Sequence, residues 1–569
     1  MEPIIEFKDF SFKYRAQKEP TLKDINLTIN RGEKVLIIGP SGSGKSTLSQ
    51  CLNGLIPHTY PGKIKGRLTV NGKNPKKAGI FGMSETIGTV LQDTDGQFIG
   101  LTVAEDIAFA LENDCVEQSK MIQRVYDVAD ELDIRKLLDH RPNELSGGQK
   151  QRVSLAGVMV DDVDILLFDE PLANLDPATG KSTIALIDEI HKTTNKTIII
   201  IEHRLEDVLY KDVDRVVMIN DGRITADMTS DELLSSDLLE KAGIREPLYL
   251  SACKLAGVKI TPDMHPSHIE TFDVSGVEDN VQKWFHETAY QPENNSHETI
   301  LSVKHLSYSY DQAHRVLDDI SFDIKEGEML SIVGRNGAGK STLSSLICGF
   351  MPVDEGEILL EGEDITPLSI RERGEKIGFV MQNSNHMISK SMIFDEVALG
   401  LEVRGVPEDE IKERVNETLK ICGLYPFRNW PISALSFGQK KRMTIASILV
   451  LNPKILILDE PTAGQDFRHY TEIMEFLKML NRDHHVTIIM ITHDMHLMLE
   501  YTHRAIVLAD GHLLADETPA RVLTDEKLTE AAYLKRTSLY DLSLKCHIDD
   551  ASAFVERFIA EDERERDHG

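Results

Sequence analysis

The feature that most constrains this chain is a glycine-rich loop that occurs twice, each time after a short apolar run. The first loop covers residues 39–47 and follows the apolar residues 35–38. The second covers residues 334–342 and follows residues 330–333. A strand, a glycine loop and a helix in this order form a phosphate-binding loop, because backbone amides and the helix N-terminus can surround phosphate oxygens. The sequence therefore predicts two phosphate sites.

Within each loop, particular side chains suit a nucleoside triphosphate. Lys45 and Lys340 can reach the β and γ phosphates, and the hydroxyls of Ser46 and Ser341 can ligate Mg²⁺. The residues predicted to bind phosphate are those of the two loops: Gly39, Pro40, Ser41, Gly42, Ser43, Gly44, Lys45, Ser46 and Thr47 in the first, and Gly334, Arg335, Asn336, Gly337, Ala338, Gly339, Lys340, Ser341 and Thr342 in the second.

Further landmarks repeat in the same order. The two loop lysines are 295 residues apart, and four later pairs are 290 residues apart: Gln92 and Gln382, Ser146 and Ser436, Asp169 and Asp459, His203 and His493. The chain is therefore predicted to be a tandem duplication. We predict a first domain at 1–225, a helical insert and linker at 226–298 that belong to neither repeat, a second domain at 299–525, and a C-terminal extension at 526–569. Residues 556–569 are expected to be a charged, frayed tail.

Two apolar runs end in paired acids, Asp169-Glu170 and Asp459-Glu460. A continuous apolar run is typical of a central parallel strand that is buried on both faces. Ligands of open α/β sheets bind at the carboxyl edge of such strands. The first acid of each pair suits Mg²⁺, and the second is placed to orient or deprotonate a water molecule.

Other paired residues stand near strand ends. Gln92 and Gln382 are candidates to contact Mg²⁺ or the attacking water. His203 and His493 each follow a buried strand and could sense a γ-phosphate. Tyr14 and Tyr310 precede the glycine loops. Each tyrosine either forms an aromatic platform for an adenine ring or packs on its neighbours.

Each half also carries a Leu-Ser-x-Gly-Gln segment, at residues 145–149 and 435–439. Ser146 and Ser436 are predicted to be helix N-caps, and the glycine amides beside them would make a second anion-binding helix start. The glycines concerned are Gly147, Gly148 and Gly438. Phe437 replaces the first glycine in the second copy.

The charge of the chain restricts its partners. The formal net charge is −30, from 63 basic and 93 acidic residues. This balance argues against a nucleic-acid partner and against direct adhesion to anionic lipid. No apolar run approaches the roughly 18 residues that could span a bilayer, and no secretory leader is evident. We expect a protein that neither is secreted nor spans a membrane by itself.

Taken together, the ordered motifs resemble those of the nucleotide-binding subunit of ATP-binding cassette (ABC) transporters. The resemblance implies an α/β fold of two tandem P-loop NTPase domains. Each would have a parallel-sheet core, an N-terminal antiparallel β subdomain and a helical subdomain with the Leu-Ser-x-Gly-Gln segment. It also implies ATP hydrolysis with Mg²⁺, catalytic roles for Glu170, Glu460 and the paired glutamines and histidines, and Mg²⁺ binding by Ser46, Asp169, Gln92, Ser341, Asp459 and Gln382.

In such proteins, each ATP is held between the glycine loop of one cassette and the signature segment of another. The resemblance therefore implies that the two cassettes pair within this chain. The site of Lys45 would receive Ser436 and Gly438, and the site of Lys340 would receive Ser146, Gly147 and Gly148. Because Phe437 adds bulk and loses the freedom to adopt a positive φ, the site of Lys45 is expected to hydrolyse ATP more slowly.

Residues 92–98 and 243–249 look like segments of the ATPases of energy-coupling-factor importers. The fused form with a central insert is similar to the ATPase assigned to thiamine or hydroxymethylpyrimidine importers. This implies a membrane coupling protein and a small substrate-binding membrane protein as partners. It also implies a vitamin, vitamin precursor or metal ion as substrate, and a place at the cytoplasmic face of the cell membrane.

Two alternatives remain at this point. The tandem ATPase of sugar importers has the same length and duplication, but it usually has a degenerate second glycine loop, whereas Lys340-Ser341 is intact. A soluble twin-cassette protein that binds ribosomes would be expected to carry a basic linker, which this sequence lacks.

Overall fold

The computed structural model describes residues 2–92, 95–173, 175–288, 298–310 and 315–568, with only the backbone of residues 95, 567 and 568. Asp93 and Thr94, from the segment 92–98, lie outside these ranges. The chain divides into two compact units, Met1–Val281 with Asp466–Arg468 and Gln282–Gln465 with His469–Gly569. Within the described ranges, we find no helix that is long and apolar enough to cross a membrane.

In the first unit, six strands form a mainly parallel sheet in the order β5-β6-β7-β3-β8-β9, and three form an antiparallel sheet in the order β2-β1-β4. The strands are β1 Pro3–Tyr14, β2 Leu22–Asn30, β3 Lys34–Ile38, β4 Gly62–Val70, β5 Ile87–Val90, β6 Ile165–Asp169, β7 Thr197–Ile201, β8 Arg215–Asn220 and β9 Arg223–Met228. The helices are α1 Lys45–Leu52, α2 Leu55–His58, α3 Pro75–Ser84, α4 Val103–Asn113, α5 Gln118–Glu131, α6 Gly147–Met159, α7 Pro177–Thr194, α8 Leu205–Val208, α9 Ser230–Leu234, α10 Leu238–Ala242 and α11 Leu248–Leu255. Helix α12, Glu278–Glu287, begins in this unit and continues into the second.

The second unit repeats this plan, with sheets in the orders β15-β16-β17-β12-β18-β19 and β11-β10-β13-β14. Its strands are β10 Thr299–Ser309, β11 Arg315–Lys325, β12 Met329–Val333, β13 Glu355–Leu360, β14 Glu363–Asp364, β15 Ile377–Val380, β16 Ile455–Asp459, β17 Thr487–Ile491, β18 Arg504–Ala509 and β19 His512–Glu517. Its helices are α13 Lys340–Cys348, α14 Ile370–Arg373, α15 Ile393–Val403, α16 Glu408–Ile421, α17 Phe437–Leu449, α18 Phe467–His484, α19 Met495–Tyr501, α20 Pro519–Thr524, α21 Glu526–Ala531, α22 Ser538–Lys545 and α23 Ala551–His568.

In each unit, the two sheets share one hydrophobic core. In the first, Phe7 and Phe10 of the antiparallel sheet belong to the same cluster of buried side chains as Val35 and Ile37 of the parallel sheet. Every residue of β7 is buried, as the continuous apolar run predicts for a strand with helices on both faces. The predicted α/β fold of two domains, each with a parallel-sheet core and an antiparallel β subdomain, is therefore confirmed.

The duplication extends further than the sequence indicated. The predicted end of the first domain, residue 225, falls inside β9. Beyond this strand, Thr229 caps α9, and beyond β19 Thr518 caps α20 in the same way. Gly243 and Tyr533 then adopt left-handed φ angles of 64° and 57° before α11 and α22. The predicted insert at 226–298 therefore begins with helices in the same order as those after β19, although the side chains of the two stretches differ.

The expectation that the C-terminal residues form a charged, frayed tail is wrong for residues 556–568. Residues 551–568 form the helix α23, which packs against α19, α20 and α22. Phe554 contacts Trp284 edge to face at 5.8 Å, and Arg557 stacks over Phe285 at 4.1 Å. Trp284 and Phe285 therefore pack against the C-terminal helix.

The packing of α23 can be tested with Phe558, which is 1% exposed. Replacing it with alanine leaves a cavity, so Phe558→Ala should lower the free energy of unfolding of this unit by about 3–5 kcal/mol. Urea denaturation would measure the change. Glu565→Ala, on the exposed side of the same helix, is the matched control and should have little effect. If both substitutions had equally negligible effects on the free energy of unfolding, the result would indicate that the tail is frayed.

Candidate active sites

The first glycine loop joins the end of β3 to the start of α1. A Cβ on Gly39 would lie 2.1 Å from the carbonyl oxygen of Ile219, so no larger residue fits there. Gly44, at φ 110°, turns the chain into the helix at Lys45. The second loop has the same form, since a Cβ on Gly334 would lie 2.1 Å from the carbonyl oxygen of Leu508. The predicted helix start at Lys45 is confirmed.

Each loop lysine is buried and bonded to its own loop. Lys45 Nζ donates hydrogen bonds to the carbonyl oxygens of Gly39 and Pro40, at 2.6 and 3.0 Å. Lys340 Nζ donates to Gly334 and Arg335 at 2.7 and 3.0 Å. Burial lowers the pKa of Lys45. Burial removes the ammonium group from water, so a negatively charged ligand next to it is favourable. Phosphate oxygens bound in the loop would supply this negative charge.

Ser43 supplies a second observation in favour of a ligand at the first loop. Its hydroxyl is buried and has no hydrogen-bond partner among the described residues. Buried polar atoms are normally paired. A phosphate oxygen in the loop would pair this hydroxyl, so the loop fits the nucleotide that the sequence predicted.

The acidic pair stands at the carboxyl edge of each parallel sheet. Asp169 ends β6 and accepts a hydrogen bond from Ser49 Oγ at 3.4 Å. Glu170 and Glu460 follow with left-handed φ angles of 52° and 44°. Such conformations are unfavourable for residues with a Cβ and are concentrated at functional sites.

The electrostatics of the acidic pairs suit a divalent cation. Burial, followed by the neighbouring Glu202, raises the pKa of Glu170 to about 7. Burial and Glu460 raise the pKa of Asp459 to about 6. Adjacent carboxylates that repel each other in a buried place are relieved by a hard cation with oxygen ligands. The residues therefore fit Mg²⁺, with Asp169 and Asp459 as the central ligands.

In the first half the glutamine and the histidine lie near the second acid, and in the second half the histidine does. Gln92 Nε2 donates to Glu170 Oε2 at 2.6 Å. His493 Nδ1 lies 2.6 Å from Glu460 Oε1, whereas His203 Nδ1 lies 4.0 Å from Glu170 Oε1. The structure thus brings Gln92, Asp169, Glu170 and the histidine of the first unit to one edge of its sheet, as the sequence predicted.

The Leu-Ser-x-Gly-Gln segments begin helices as predicted. Ser146 caps α6, and its backbone amide donates to Gln149 Oε1 at 2.9 Å. Ser436 caps α17 in the same arrangement. Gly147 has no positive φ, so the argument that Phe437 loses such a conformation is wrong. The difference between the copies is one of surface chemistry, because Phe437 places a ring that is 53% exposed at the helix start.

The two tyrosines contact the helices that follow the glycine loops. Tyr14 Oη is 3.0 Å from both Thr47 Oγ1 and Gln50 Oε1, and its ring meets Phe12 edge to face at 4.8 Å. Tyr310 Oη is 3.1 Å from Thr342 Oγ1, and its side chain is exposed. Both rings therefore lie beside a phosphate loop, where a base could stack on them.

Sequence reasoning missed two differences between the halves. Position 202 is a buried glutamate in the first half, and its counterpart is Thr492. Position 441 is a lysine that is 1% exposed, donates to the carbonyl oxygens of Met381 and Gln382 at 3.1 Å, and corresponds to Gln151. Burial lowers the pKa of Lys441 to about 8. Comparing the halves residue by residue at a spacing of 290 would have revealed both exchanges.

The role of Tyr14 can be separated into ring and hydroxyl. If the ring supports adenine, Tyr14→Phe should keep the affinity for ATP, while Tyr14→Ala should weaken it about tenfold or more through lost stacking. Binding of a fluorescent ATP analogue would measure both. Tyr126→Ala, at an exposed tyrosine of α5, is the control. Equal affinity loss in Tyr14→Phe and Tyr14→Ala would instead assign the effect to the hydroxyl bonds with Thr47 and Gln50.

Comparison with known proteins places these features in a family. Residues 22–173 and 317–463 match the family described as ABC transporter. Residues 236–308 match a family described as ATP-binding cassette cobalt transporter. An ABC transporter ATP-binding protein of Clostridium perfringens (strain 13 / Type A) is 58% identical over 98% of this chain and 98% of its own length. One of Enterococcus faecalis (strain ATCC 700802 / V583) is 59% identical over 99% of both chains.

A solved structure is also similar to part of the chain. It is cbiO1 from Clostridium perfringens, described as part of the ABC transporter complex cbiONQ. It is 35% identical and covers 44% of this chain and 96% of its own, with a TM-score of 0.39. The family matches span more than half of the chain, and the two relatives align over nearly all of it. The chain therefore belongs to the ATP-hydrolysing, ATP-binding subunits of ABC transporters, with two tandem cassettes of the energy-coupling-factor type.

Proposed function

We propose that the chain supplies the energy for a membrane importer by hydrolysing Mg·ATP at the phosphate loop of each cassette. The observation that carries this proposal is the meeting of loop lysine, acidic pair and histidine at neighbouring strand ends in each unit. The proposed substrate is a vitamin, a vitamin precursor or a metal ion. Among these, the cobalt description of the family matched by residues 236–308 supports a metal ion.

In each proposed site, the residues divide the work of phosphoryl transfer. Lys45 and Lys340 bind phosphate oxygens instead of the carbonyl oxygens of their loops. This binding stabilises the negative charge of the transferred phosphoryl group. Ser46 with Asp169 and Gln92, and Ser341 with Asp459 and Gln382, would hold Mg²⁺, which supplies further charge neutralisation.

The second acid of each pair acts on the attacking water. Glu170 and Glu460 accept its hydrogen bond and orient it toward the γ-phosphate. His203 and His493 stand one strand away, at the ends of β7 and β17, where they can contact the same phosphate.

Neither alternative from the sequence gains a supporting observation. The family match over residues 236–308 describes a cobalt transporter rather than a sugar importer. The two relatives carry transporter names over nearly the whole chain, which does not favour a ribosome-bound protein.

We also propose a docking surface for the membrane coupling protein, formed by Phe81, Leu91, Ile99 and Leu101. These side chains are 62%, 42%, 64% and 79% exposed. The backbone amide of Ile99 donates to Asp106 Oδ1 at 2.8 Å and that of Leu101 to Glu105 Oε2 at 3.0 Å, so α4 holds this segment. An apolar cytoplasmic segment of a membrane protein suits such side chains. Leu91 precedes Gln92, which is bonded to Glu170. A displacement of this surface would therefore shift Gln92 and Glu170 in the first site.

Hydrolysis can be tested at the two general bases. Glu170→Gln and Glu460→Gln each keep the size of the side chain but remove its basicity. Each should lower hydrolysis at its own site by about 100-fold or more, with ATP binding retained. Phosphate release and nucleotide binding would be measured separately. Glu131→Gln, at an exposed acid of α5, should change neither. Full ATP hydrolysis in both active-site variants would show that Glu170 and Glu460 have no catalytic role.

The import proposal predicts what accompanies the chain. Tagged protein purified from detergent-solubilised membranes of its host should bring a coupling protein and a small substrate-binding membrane protein. Leu101→Asp should lower the recovery of both, while the isolated chain still hydrolyses ATP, because a charge disrupts an apolar interface. Leu544→Asp alters a leucine on α22 that is 52% exposed and serves as the matched control. Recovery of ribosomal proteins instead would contradict the proposal.

A further inference from the structure

The two active sites differ at the residue that precedes the histidine. Position 202 is glutamate, and its counterpart 290 residues later is Thr492. Both positions follow the last residue of a central strand, at the ends of β7 and β17. Both side chains are fully buried. A buried carboxylate in one site thus stands where the other site has a hydroxyl.

In the first unit, Glu202 is surrounded by hydrogen-bond donors. Its Oε1 accepts from the backbone amide of His203 at 2.8 Å, and its Oε2 accepts from that of Leu172 at 3.2 Å. His203 Nδ1 lies 3.1 Å from Glu202 Oε1 and 4.0 Å from Glu170 Oε1. The His203 ring therefore lies beside Glu202 and is too far from Glu170 to form a hydrogen bond with it.

In the second unit, the histidine has the other partner. His493 Nδ1 lies 2.6 Å from Glu460 Oε1. Thr492 Oγ1 donates to Glu460 Oε2 at 3.2 Å, so both oxygens of this carboxylate are held from the end of β17. Hydrogen bonds to an ionised carboxylate are short and strong, and they restrict its orientation.

We propose that Glu202 is a positioning residue that keeps His203 away from Glu170. In the second site, Thr492 stands in place of Glu202, and His493 bonds to Glu460. The Lys45 site therefore hydrolyses ATP more slowly than the Lys340 site. The inference rests on the proposed roles of Glu170 and Glu460. It does not depend on Phe437, which lies in a different element.

Glu202 also stabilises the local backbone by a hydrogen bond, and the threonine at the counterpart position makes an equivalent bond. Glu202 Oε1 accepts from the backbone amide of Arg204 at 3.3 Å, two residues later. Thr492 Oγ1 accepts from the amide of Asp494, also two residues later, at 3.0 Å. Threonine at position 202 would therefore keep this local bond while releasing His203.

The test is single-turnover hydrolysis of radiolabelled ATP by the full chain with Mg²⁺, followed by rapid quenching. This measurement separates chemistry from product release. The parent should show two phases of similar amplitude. Glu202→Thr should accelerate the slow phase about tenfold, the size expected for one charge-assisted hydrogen bond, and leave the fast phase and ATP affinity unchanged. Thr492→Glu should slow the fast phase by a similar factor.

Glu189→Thr, at an exposed acid of α7, is the matched control and should leave both phases unchanged. The proposal is overturned if Glu202→Thr binds ATP normally but does not accelerate the slow phase. Should that variant fail to fold, Thr492→Glu decides alone, and an unchanged fast phase with normal ATP affinity overturns the proposal. If Glu170→Gln and Glu460→Gln retain hydrolysis, the active-site assignment itself fails, which is a separate result.

Discussion

The active sites depend on the parallel pairing of three neighbouring strands in each unit. In the first, β7 lies between β3 and β6, with Leu36 paired to Ile200 and Phe168 paired to the same residue. Because parallel strands in register end at one edge, the loop after β3, the acids after β6 and the histidine after β7 must meet there. The second unit repeats this with β12, β16 and β17. The proposed catalytic residues are therefore far apart in the sequence and adjacent in space.

Close approach of backbone to backbone sets the shape of each phosphate loop. Gly39 and Gly334 leave no room for a Cβ against the carbonyl oxygens of Ile219 and Leu508. The loop is thereby held on the strand beside it, and its lysine turns back onto the loop carbonyls. A loop held in this way binds phosphate at a low cost in conformational entropy.

Duplication has kept this geometry and changed its electrostatics. Glu202 adds an acid to the first site, whereas Lys441 adds a buried base behind the second. Neither exchange alters the strand order, since Glu202 follows the last residue of β7 and Lys441 lies on α17. Two cassettes of one fold can thus surround their proposed general bases with different partners, and the proposed inequivalence of the sites needs no change of topology.

The sequence by itself determined the fold class and the tandem repeat, and it indicated almost every residue of the two proposed sites, since each motif reflects a local requirement. A loop lysine follows its glycines, and an acid pair follows its apolar strand. It did not predict the helix α23, whose charged residues conceal Phe554 and Phe558, or the repeated helices after β9 and β19. Only the tertiary structure decided which carboxylate lies nearest to each histidine. That choice depends on the distances among three strand ends, and neither charge nor spacing along the chain contains those distances.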